Sequence, residues 1–69
     1  MERTTVSSSN VSSIGYDSDS ETLEVEFVRG GIYQYFDVPE NVFNELINAS
    51  SVGSYLNQNV KNSIQYSQI

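Results

Sequence analysis

The chain has 69 residues, 38% of them hydrophobic, so it can form one small domain in which nearly every large apolar side chain must be buried. It contains no Cys and no His, which excludes disulfides, thiolate metal sites, the commonest zinc ligand and the usual general base. The net charge is −6, and only Arg3, Arg29 and Lys61 are positive. Three scattered cations cannot form a surface for a phosphate backbone, whereas a basic protein partner would be attracted.

The pattern of the N-terminal segment does not predict an export signal. Its first residues, Met-Glu-Arg-Thr-Thr, precede no hydrophobic stretch, and no apolar run in the chain approaches the length of a membrane span. We therefore expect a cytoplasmic protein that does not associate with a membrane. Residues 1–9 are polar and rich in Ser and Thr, which predicts a disordered tail, and residues 10–69 are expected to form a single domain.

The first predicted strand covers residues 10–16, and an acidic turn follows it at residues 17–21, Asp-Ser-Asp-Ser-Glu. This turn begins with the spacing of a calcium-binding loop. The sixth and twelfth places of such a loop require Gly and Glu, but they are occupied here by Thr22 and Val28. We therefore interpret the segment as a solvated turn and predict no metal site.

The second predicted strand, residues 22–28, shows the clearest pattern in the chain, because apolar and acidic residues alternate strictly. One face carries Leu23, Val25 and Phe27, and the other carries Glu24 and Glu26. Arg29-Gly30-Gly31 predicts a tight hairpin turn, since glycine accepts a positive φ without steric cost. Residues 32–36 then form the third predicted strand.

The length of the hairpin loop decides which face of the third strand is buried. A two-residue loop places Ile32, Gln34 and Phe36 inside and leaves Tyr33 and Tyr35 on the outer face, beside the two strand glutamates. A three-residue loop with a glycine bulge reverses the faces and buries both tyrosines. The burial of Ile32 and Phe36 favours the two-residue loop.

Two short helices are predicted after the third strand. Pro39 is suited to the start of the first helix, whose apolar residues recur at helical spacing, and Ser50 or Ser51 can cap the second. Residues 63–69 alternate weakly and predict either a fourth strand or a loose tail. The expected fold is α+β: a three- or four-stranded antiparallel β-meander with two short α-helices packed on one face.

The candidate binding residues lie mostly on the predicted sheet. Tyrosines can stack on bases or anchor a protein interface, with ordinary packing as the alternative. The paired glutamates are better explained as a solubilising face than as acid–base groups. The hypothetical site comprises Tyr33, Tyr35, Glu24, Glu26 and Arg29, with Tyr55, Asn57 and Lys61 as a weaker second set. Because no nucleophile–base pair or metal-ligand cluster can be assembled, we predict neither an enzyme nor a cofactor.

The order of several short motifs resembles the KTSC domain. The motifs are Ile14-Gly15-Tyr16-Asp17, Leu23-Glu24-Val25-Glu26-Phe27, Tyr33-Gln34-Tyr35 and Gly53-Ser54-Tyr55-Leu56-Asn57, and the resemblance covers residues 7–66. That family is named for its occurrence at the C-terminus of some lysyl-tRNA synthetases, and it also occurs as a stand-alone small protein. Leu56 stands where Phe is common in the family. The resemblance implies no established reaction and only a role in RNA binding, through Tyr33 and Tyr35.

Three functions remain open at this point. The favoured hypothesis is a non-enzymatic module that binds a protein partner, basic or itself nucleic-acid-binding, through the face with the tyrosines and glutamates. The second is a single-stranded RNA binder that uses the same tyrosines with Arg29 and Lys61, a role that the net charge disfavours. The third is a small acidic inhibitor, of the sort that phages or mobile elements encode, whose carboxylates imitate phosphates. Either a monomer or a homodimer is compatible with the sequence.

Overall fold

A computed structural model describes residues 2–60 and 65–69 and places five strands and two helices in these ranges. The strands are β1 (Arg3–Thr5), β2 (Val11–Asp17), β3 (Thr22–Phe27), β4 (Ile32–Tyr35) and β5 (Tyr66–Gln68). The helices are α1 (Glu40–Ile47) and α2 (Val52–Asn59). All five strands form one antiparallel sheet in the order β1-β2-β3-β4-β5, so each strand pairs with the next strand along the chain.

The α+β class and the antiparallel meander are confirmed, but the sheet has one strand more than the largest number predicted. The prediction of a disordered tail over residues 1–9 is wrong for Arg3–Thr5, which pair with residues 13–15 of β2. Two threonines, which favour extended backbone, and an ion pair made by Arg3 stabilise this short strand. The alternation in residues 63–69 corresponds to a strand at Tyr66–Gln68.

Both helices begin where the sequence predicts. Pro39 precedes α1 with a φ of −67°, the angle that its ring imposes. The Ser51 side chain caps α2 by accepting a hydrogen bond from the Ser54 N–H. No helix in the described part of the chain is long and apolar enough to cross a membrane.

The helices cover one face of the sheet, which we call the inner face. The core lies between this face and the helices. Its residues are Val11, Ile14, Leu23, Val25, Tyr35, Val38, Leu46, Val52, Leu56 and Val60, each less than one-tenth exposed. They come from β2, β3, β4, both helices and the loops beside them. The burial of this set is the main favourable contribution to folding in so small a domain.

The hairpin between β3 and β4 has a three-residue loop. The Phe27 N–H donates a 3.1 Å hydrogen bond to the Gly31 carbonyl, so that residues 28–30 form the loop. Gly30 and Gly31 have φ angles of +105° and +91°, which L side chains rarely adopt. The two glycines therefore permit the three-residue bulged turn, which is the less favoured of the two predicted alternatives.

This loop determines which face of the sheet the tyrosines occupy. Tyr33 pairs with Val25 and Tyr35 with Leu23, so both tyrosines lie on the inner face with these core residues. The favoured two-residue loop is wrong, and the three-residue alternative is correct. Its physical advantage is that two large aromatic side chains pack on the core side, while Gln34 lies on the polar side.

Candidate functional site

A cleft of about 460 Å³ lies between the inner face of the sheet and α2. Its aromatic wall consists of Phe27, Tyr33, Tyr35 and Tyr66, from β3, β4 and β5. Leu56 of α2 lines the cleft too, and Arg29 belongs to the hairpin loop at its rim. We refer to this feature as the tyrosine cleft. Its size is within the range of cavities that bind small molecules or single side chains.

The four aromatic rings of the cleft form one continuous series of ring contacts. Phe27 and Tyr33 meet edge to face, with ring centroids 5.5 Å apart. The Tyr66 ring lies 5.9 Å from that of Tyr33 and 5.7 Å from that of Tyr35. These are the separations at which aromatic pairs attract each other. The rings therefore support one another's positions and form a continuous apolar wall.

The cleft exists because the helices cover only part of the inner face. Tyr35, at the border of the covered part, is 2% exposed, whereas Tyr66 on β5 is 59% exposed. Tyr33 lies between these extremes and is half-buried. Since β5 is the last strand of the sheet and every residue from 65 to 69 is exposed, the rings of Tyr33 and Tyr66 face a space open to solvent.

Tyr35 has the most perturbed hydroxyl in this group. Burial, together with a smaller contribution from the nearby hydroxyls of Tyr33 and Tyr66, raises the pKa of Tyr35 from 10.0 to about 12. A phenolate at this position would be poorly solvated and close to the hydroxyls of Tyr33 and Tyr66. Tyr35 therefore stays neutral at physiological pH and acts as an apolar wall with one hydrogen-bonding group.

The charge around the cleft differs from that of the whole protein. Among the described residues that line it, none is acidic and Arg29 is the single charged one. The polar remainder includes the amides of Asn10 and Asn57. An occupant of the cleft therefore meets an apolar floor and donors at the rim, in a protein whose net charge is −6.

The outer face of the sheet has a different organisation. Arg3, Gly15, Glu24 and Gln34 form one row across four strands. Because Gly15 has no side chain, Arg3 reaches across it and makes a 3.0 Å ion pair with Glu24. Gln34 donates a 3.0 Å hydrogen bond to the other carboxylate oxygen. Glu24 is consequently only 9% exposed, so the expectation of an open, solubilising face is wrong for this residue.

Glu26 has a partner on the same outer face. The Ser13 hydroxyl donates a 3.0 Å hydrogen bond to its carboxylate, across the pair that joins β2 to β3. The two strand glutamates are therefore engaged in cross-strand contacts that hold the sheet together.

No group of three or more possible metal-ligating side chains occurs within residues 2–60 and 65–69.

The predicted site residues separate into two groups on opposite faces. Tyr33, Tyr35, Arg29 and Asn57 line the tyrosine cleft. Glu24 and Glu26 pair with Gln34 and Ile32 on the outer face, so the hypothesis of one surface shared by tyrosines and glutamates is wrong. The reason is that the loop has three residues rather than two. The extra residue shifts β4 by one position, which places each of its side chains on the opposite face of the sheet.

The other predicted residues lie outside the cleft or outside the described ranges. The Tyr55 hydroxyl donates a 2.9 Å hydrogen bond to a carboxylate oxygen of Glu45, which links α2 to α1. The prediction for Lys61 falls on a residue outside the described ranges. Phe27 and Tyr66 also line the cleft, although the hypothetical site did not include them. The alternation through Tyr66 was the available signal, but it did not specify which strand would lie beside it.

The fold and the cleft together define a small α+β domain with an aromatic recess at the edge of its sheet. A family model described as "KTSC domain" matches residues 7–66. A crystal structure of a KTSC domain protein from Yersinia pestis superposes with a TM-score of 0.96 at 38% identity, covering 99% of this chain and 96% of that one. The chain therefore belongs to the KTSC domain family.

Two further relatives show the contexts in which similar sequences occur. An uncharacterized protein of Stutzerimonas stutzeri is 43% identical over 58 residues, which cover 84% of this chain and 82% of that protein. A lysine–tRNA ligase of Trichormus variabilis is also 43% identical, over 54 residues that cover 78% of this chain. Those residues make up 10% of the ligase, so the similarity concerns a small portion of that protein.

Proposed function

We propose that this protein is a non-enzymatic binding module and that the tyrosine cleft receives a segment of a protein partner. The observation that carries the proposal is the exposure of aromatic side chains on the core side of the sheet, where apolar surface is normally covered. Tyr66 is 59% exposed within a continuous aromatic wall. Exposed apolar surface of this kind commonly marks an interaction site.

The cleft also has the composition of a protein-binding site. Tyrosine and arginine are enriched among the residues that contribute most to protein interfaces, because each combines a large contact area with directional hydrogen bonds. Tyr33 and Tyr66 supply the area, and Arg29 supplies donors at the rim. An inserted aliphatic or aromatic side chain would be desolvated on one side by the rings and on the other by Leu56.

A binding role fits the chain better than a catalytic one. Without His or Cys, the cleft contains no group that titrates near neutral pH, and burial keeps Tyr35 protonated. Arg29 is a charged donor rather than a proton-transfer group. The residues of the cleft can hold an occupant and orient it, which is the chemistry of recognition.

A peptide-display selection against the immobilised domain tests this proposal. We expect the enriched peptides to share an aromatic or aliphatic anchor residue. Their affinity should fall at least about tenfold in Tyr66→Ala, as expected when one aromatic contact is lost. Because Tyr66 is largely exposed, this variant should fold normally, which circular dichroism can confirm.

Ile47→Ala provides the matched control. Ile47 is also an exposed large apolar residue, but it lies on α1 and does not line the cleft. Its truncation should leave peptide affinity unchanged. If no peptide is enriched over the bare matrix, or if both substitutions reduce affinity equally, the tyrosine cleft is not the binding site.

Binding of single-stranded RNA is a second candidate, favoured by the similarity to part of a lysine–tRNA ligase. Bases could stack on the rings of Tyr33 and Tyr66, because such stacking is tolerant of sequence. The net charge of −6 opposes it, since a polynucleotide would be repelled at long range. Titration with mixed-sequence single-stranded RNA at low salt checks this function, which is abandoned if fluorescence anisotropy stays flat at high micromolar protein.

A further inference from the structure

The free edge of β5 offers backbone hydrogen-bonding groups next to the tyrosine cleft. The Phe36 N–H bonds to the Gln65 carbonyl, and the Ile69 N–H bonds to the Ile32 carbonyl. In an antiparallel pair, hydrogen-bonded residues alternate along the strand. Residues 65, 67 and 69 therefore direct their backbone groups toward β4. Tyr66 and Gln68 direct their N–H and C=O groups away from the sheet, where no strand of the described chain pairs with them.

This edge lacks the features that commonly protect exposed strands from pairing. Residues 65–69, Gln-Tyr-Ser-Gln-Ile, include no charged residue and no proline. The register between β4 and β5 runs without a bulge. By contrast, β1 at the opposite edge carries Arg3, which is held in an ion pair. Of the two sheet edges, β5 is therefore the one whose side chains would not oppose an added strand.

The edge and the cleft are joined through a single residue. The side chain of Tyr66 forms part of the aromatic wall, while its backbone N–H and C=O point outward from the edge. In a strand paired to β5, every second side chain would lie on the inner face, next to the Tyr66 ring. Backbone pairing and insertion of a side chain into the cleft are therefore geometrically compatible.

We propose that the partner segment binds in an extended conformation as a sixth strand on β5, with alternate side chains directed toward the tyrosine cleft. This inference rests on the proposed function and names the binding mode. Main-chain hydrogen bonds to Tyr66 and Gln68 supply sequence-independent affinity, and the cleft selects an aromatic or aliphatic side chain.

The charge of the domain determines which occupant fits. A second copy of this chain would bring a further net charge of −6 to the same edge, so self-pairing is opposed electrostatically. A partner whose extended segment is flanked by Lys or Arg would instead be attracted to the domain. The occupant is therefore an extended, basic-flanked segment of another protein rather than a second protomer.

The substitution Gln68→Pro tests whether the partner segment pairs with β5, and it does not change a residue that lines the cleft. Proline removes the outward N–H of Gln68, and it is tolerated at an edge position because no ladder hydrogen bond to β4 is lost. We expect peptides selected on the wild-type domain to bind this variant at least about tenfold more weakly, because a hydrogen bond is lost and the proline ring obstructs the edge. Gln68→Ala keeps the N–H and should bind as the wild type does.

A scan of single N-methyl groups along the selected synthetic peptide gives a second measurement that needs no protein variant. If the peptide pairs with β5, methylation should weaken binding at every second residue, because only alternate N–H groups face the strand. A loss that does not alternate would contradict the proposal.

The outcomes separate the two proposals. Retained affinity in Gln68→Pro together with loss in Tyr66→Ala overturns the added strand and leaves binding in the cleft intact. Retained affinity in both variants overturns both proposals. Sedimentation that shows wild-type dimers which Gln68→Pro abolishes would identify a second copy as the occupant and would overturn the assignment to a partner segment.

Discussion

The two halves of the inner face of the sheet differ in what covers them. Over β2 and β3, the helices bury Ile14, Leu23 and Val25 to 1% exposure or less. Over β4 and β5, exposure rises from 2% at Tyr35 to 59% at Tyr66. The fully buried residues of the covered half are aliphatic, with the half-buried Tyr16 and Phe43 stacked on each other beside them, and the open half is aromatic. Two eight-residue helices are too short to cover five strands, so part of the face remains available for another molecule.

This difference shows how a small domain can combine stability with a binding surface. Aliphatic side chains fill the space under the helices and contribute most to the free energy of unfolding. Tyrosines tolerate the border with water, because each has an apolar ring and a polar hydroxyl. Residues of the covered half should therefore affect stability first, and residues of the open half should affect binding first.

The largest effect is expected for Leu46→Ala in the covered half. Leu46 is 0% exposed on α1, and its truncation leaves a cavity beneath that helix. The free energy of unfolding should fall by about 2–5 kcal/mol, as is usual for a buried leucine. Urea denaturation followed by circular dichroism measures the change. A loss below about 1 kcal/mol would show that α1 contributes little to the covered half.

Alkaline pH should destabilise the border between the halves through Tyr35. The unfolded chain ionises this hydroxyl near the ordinary pKa of 10.0, whereas the folded protein holds its pKa at about 12. Below pH 10 both states keep the proton. Between pH 10 and 12 the unfolded state loses it first, so the free energy of unfolding falls as pH rises.

Tyr35→Phe should make this pH dependence shallower without abolishing it. Burial also raises the pKa of Tyr16 and of Tyr55, and both tyrosines remain in the variant. Urea titrations at several pH values between 9 and 12 compare the two proteins. If the free energy of unfolding falls equally steeply with pH in the wild type and the variant, the Tyr35 hydroxyl does not contribute to the pH dependence.

The hairpin glycines allow backbone strain to be separated from contact with the cleft. Gly30→Ala and Gly31→Ala both place a side chain at a positive φ, which costs about 1–2 kcal/mol. At Gly31, the new Cβ would also lie 3.3 Å from a ring carbon of Tyr33 and 3.2 Å from the Gln68 side-chain nitrogen. At Gly30 it would meet nothing within 4 Å.

We therefore expect both glycine variants to lose stability but only Gly31→Ala to disturb the open half. Chemical shifts of the Tyr33 and Tyr66 rings should move in Gly31→Ala and stay in place in Gly30→Ala. Equal ring shifts in the two variants would indicate that the loop, rather than the new contact, controls the position of the aromatic wall.

The smallest effect on stability is expected for Tyr66→Ala in the open half. Because Tyr66 is 59% exposed, its removal should change the free energy of unfolding by no more than about 0.5 kcal/mol. Differential scanning fluorimetry against the wild type gives a rapid comparison. A large drop in melting temperature would show that β5 contributes to stability as β2 and β3 do, so that the two halves would not differ in this respect.

Local patterns predicted the elements of this fold with good accuracy. The strict alternation from Leu23 to Phe27 corresponds to β3, and the apolar spacing after Pro39 corresponds to α1. These predictions succeed because burial on one face imposes a period of two on strands and of about 3.6 on helices. The strand at Arg3–Thr5 escaped prediction because it has no such period and depends on a pairing partner.

The candidate site was predicted less well, since it depends on which faces meet. Tyr33, Tyr35, Arg29 and Asn57 of the hypothetical site lie together in the tyrosine cleft, but the tyrosines were assigned to the wrong face of the sheet. Adding one residue to the hairpin loop moves every side chain of β4 to the opposite face of the sheet. Glycine-rich turns accept both loop lengths, so the sequence did not decide between them.

Composition and periodicity alone determined that this is one small acidic α+β domain without His or Cys. Periodicity also predicted β2, β3, β4 and both helices in chain order, and the order of short motifs carried the resemblance to the KTSC family. Only the tertiary structure decided that Glu24 is buried beneath Arg3 and that Tyr66 completes an aromatic cleft. The physical reason is that alternation depends on neighbours along the chain, whereas register and coverage depend on contacts between residues distant in sequence.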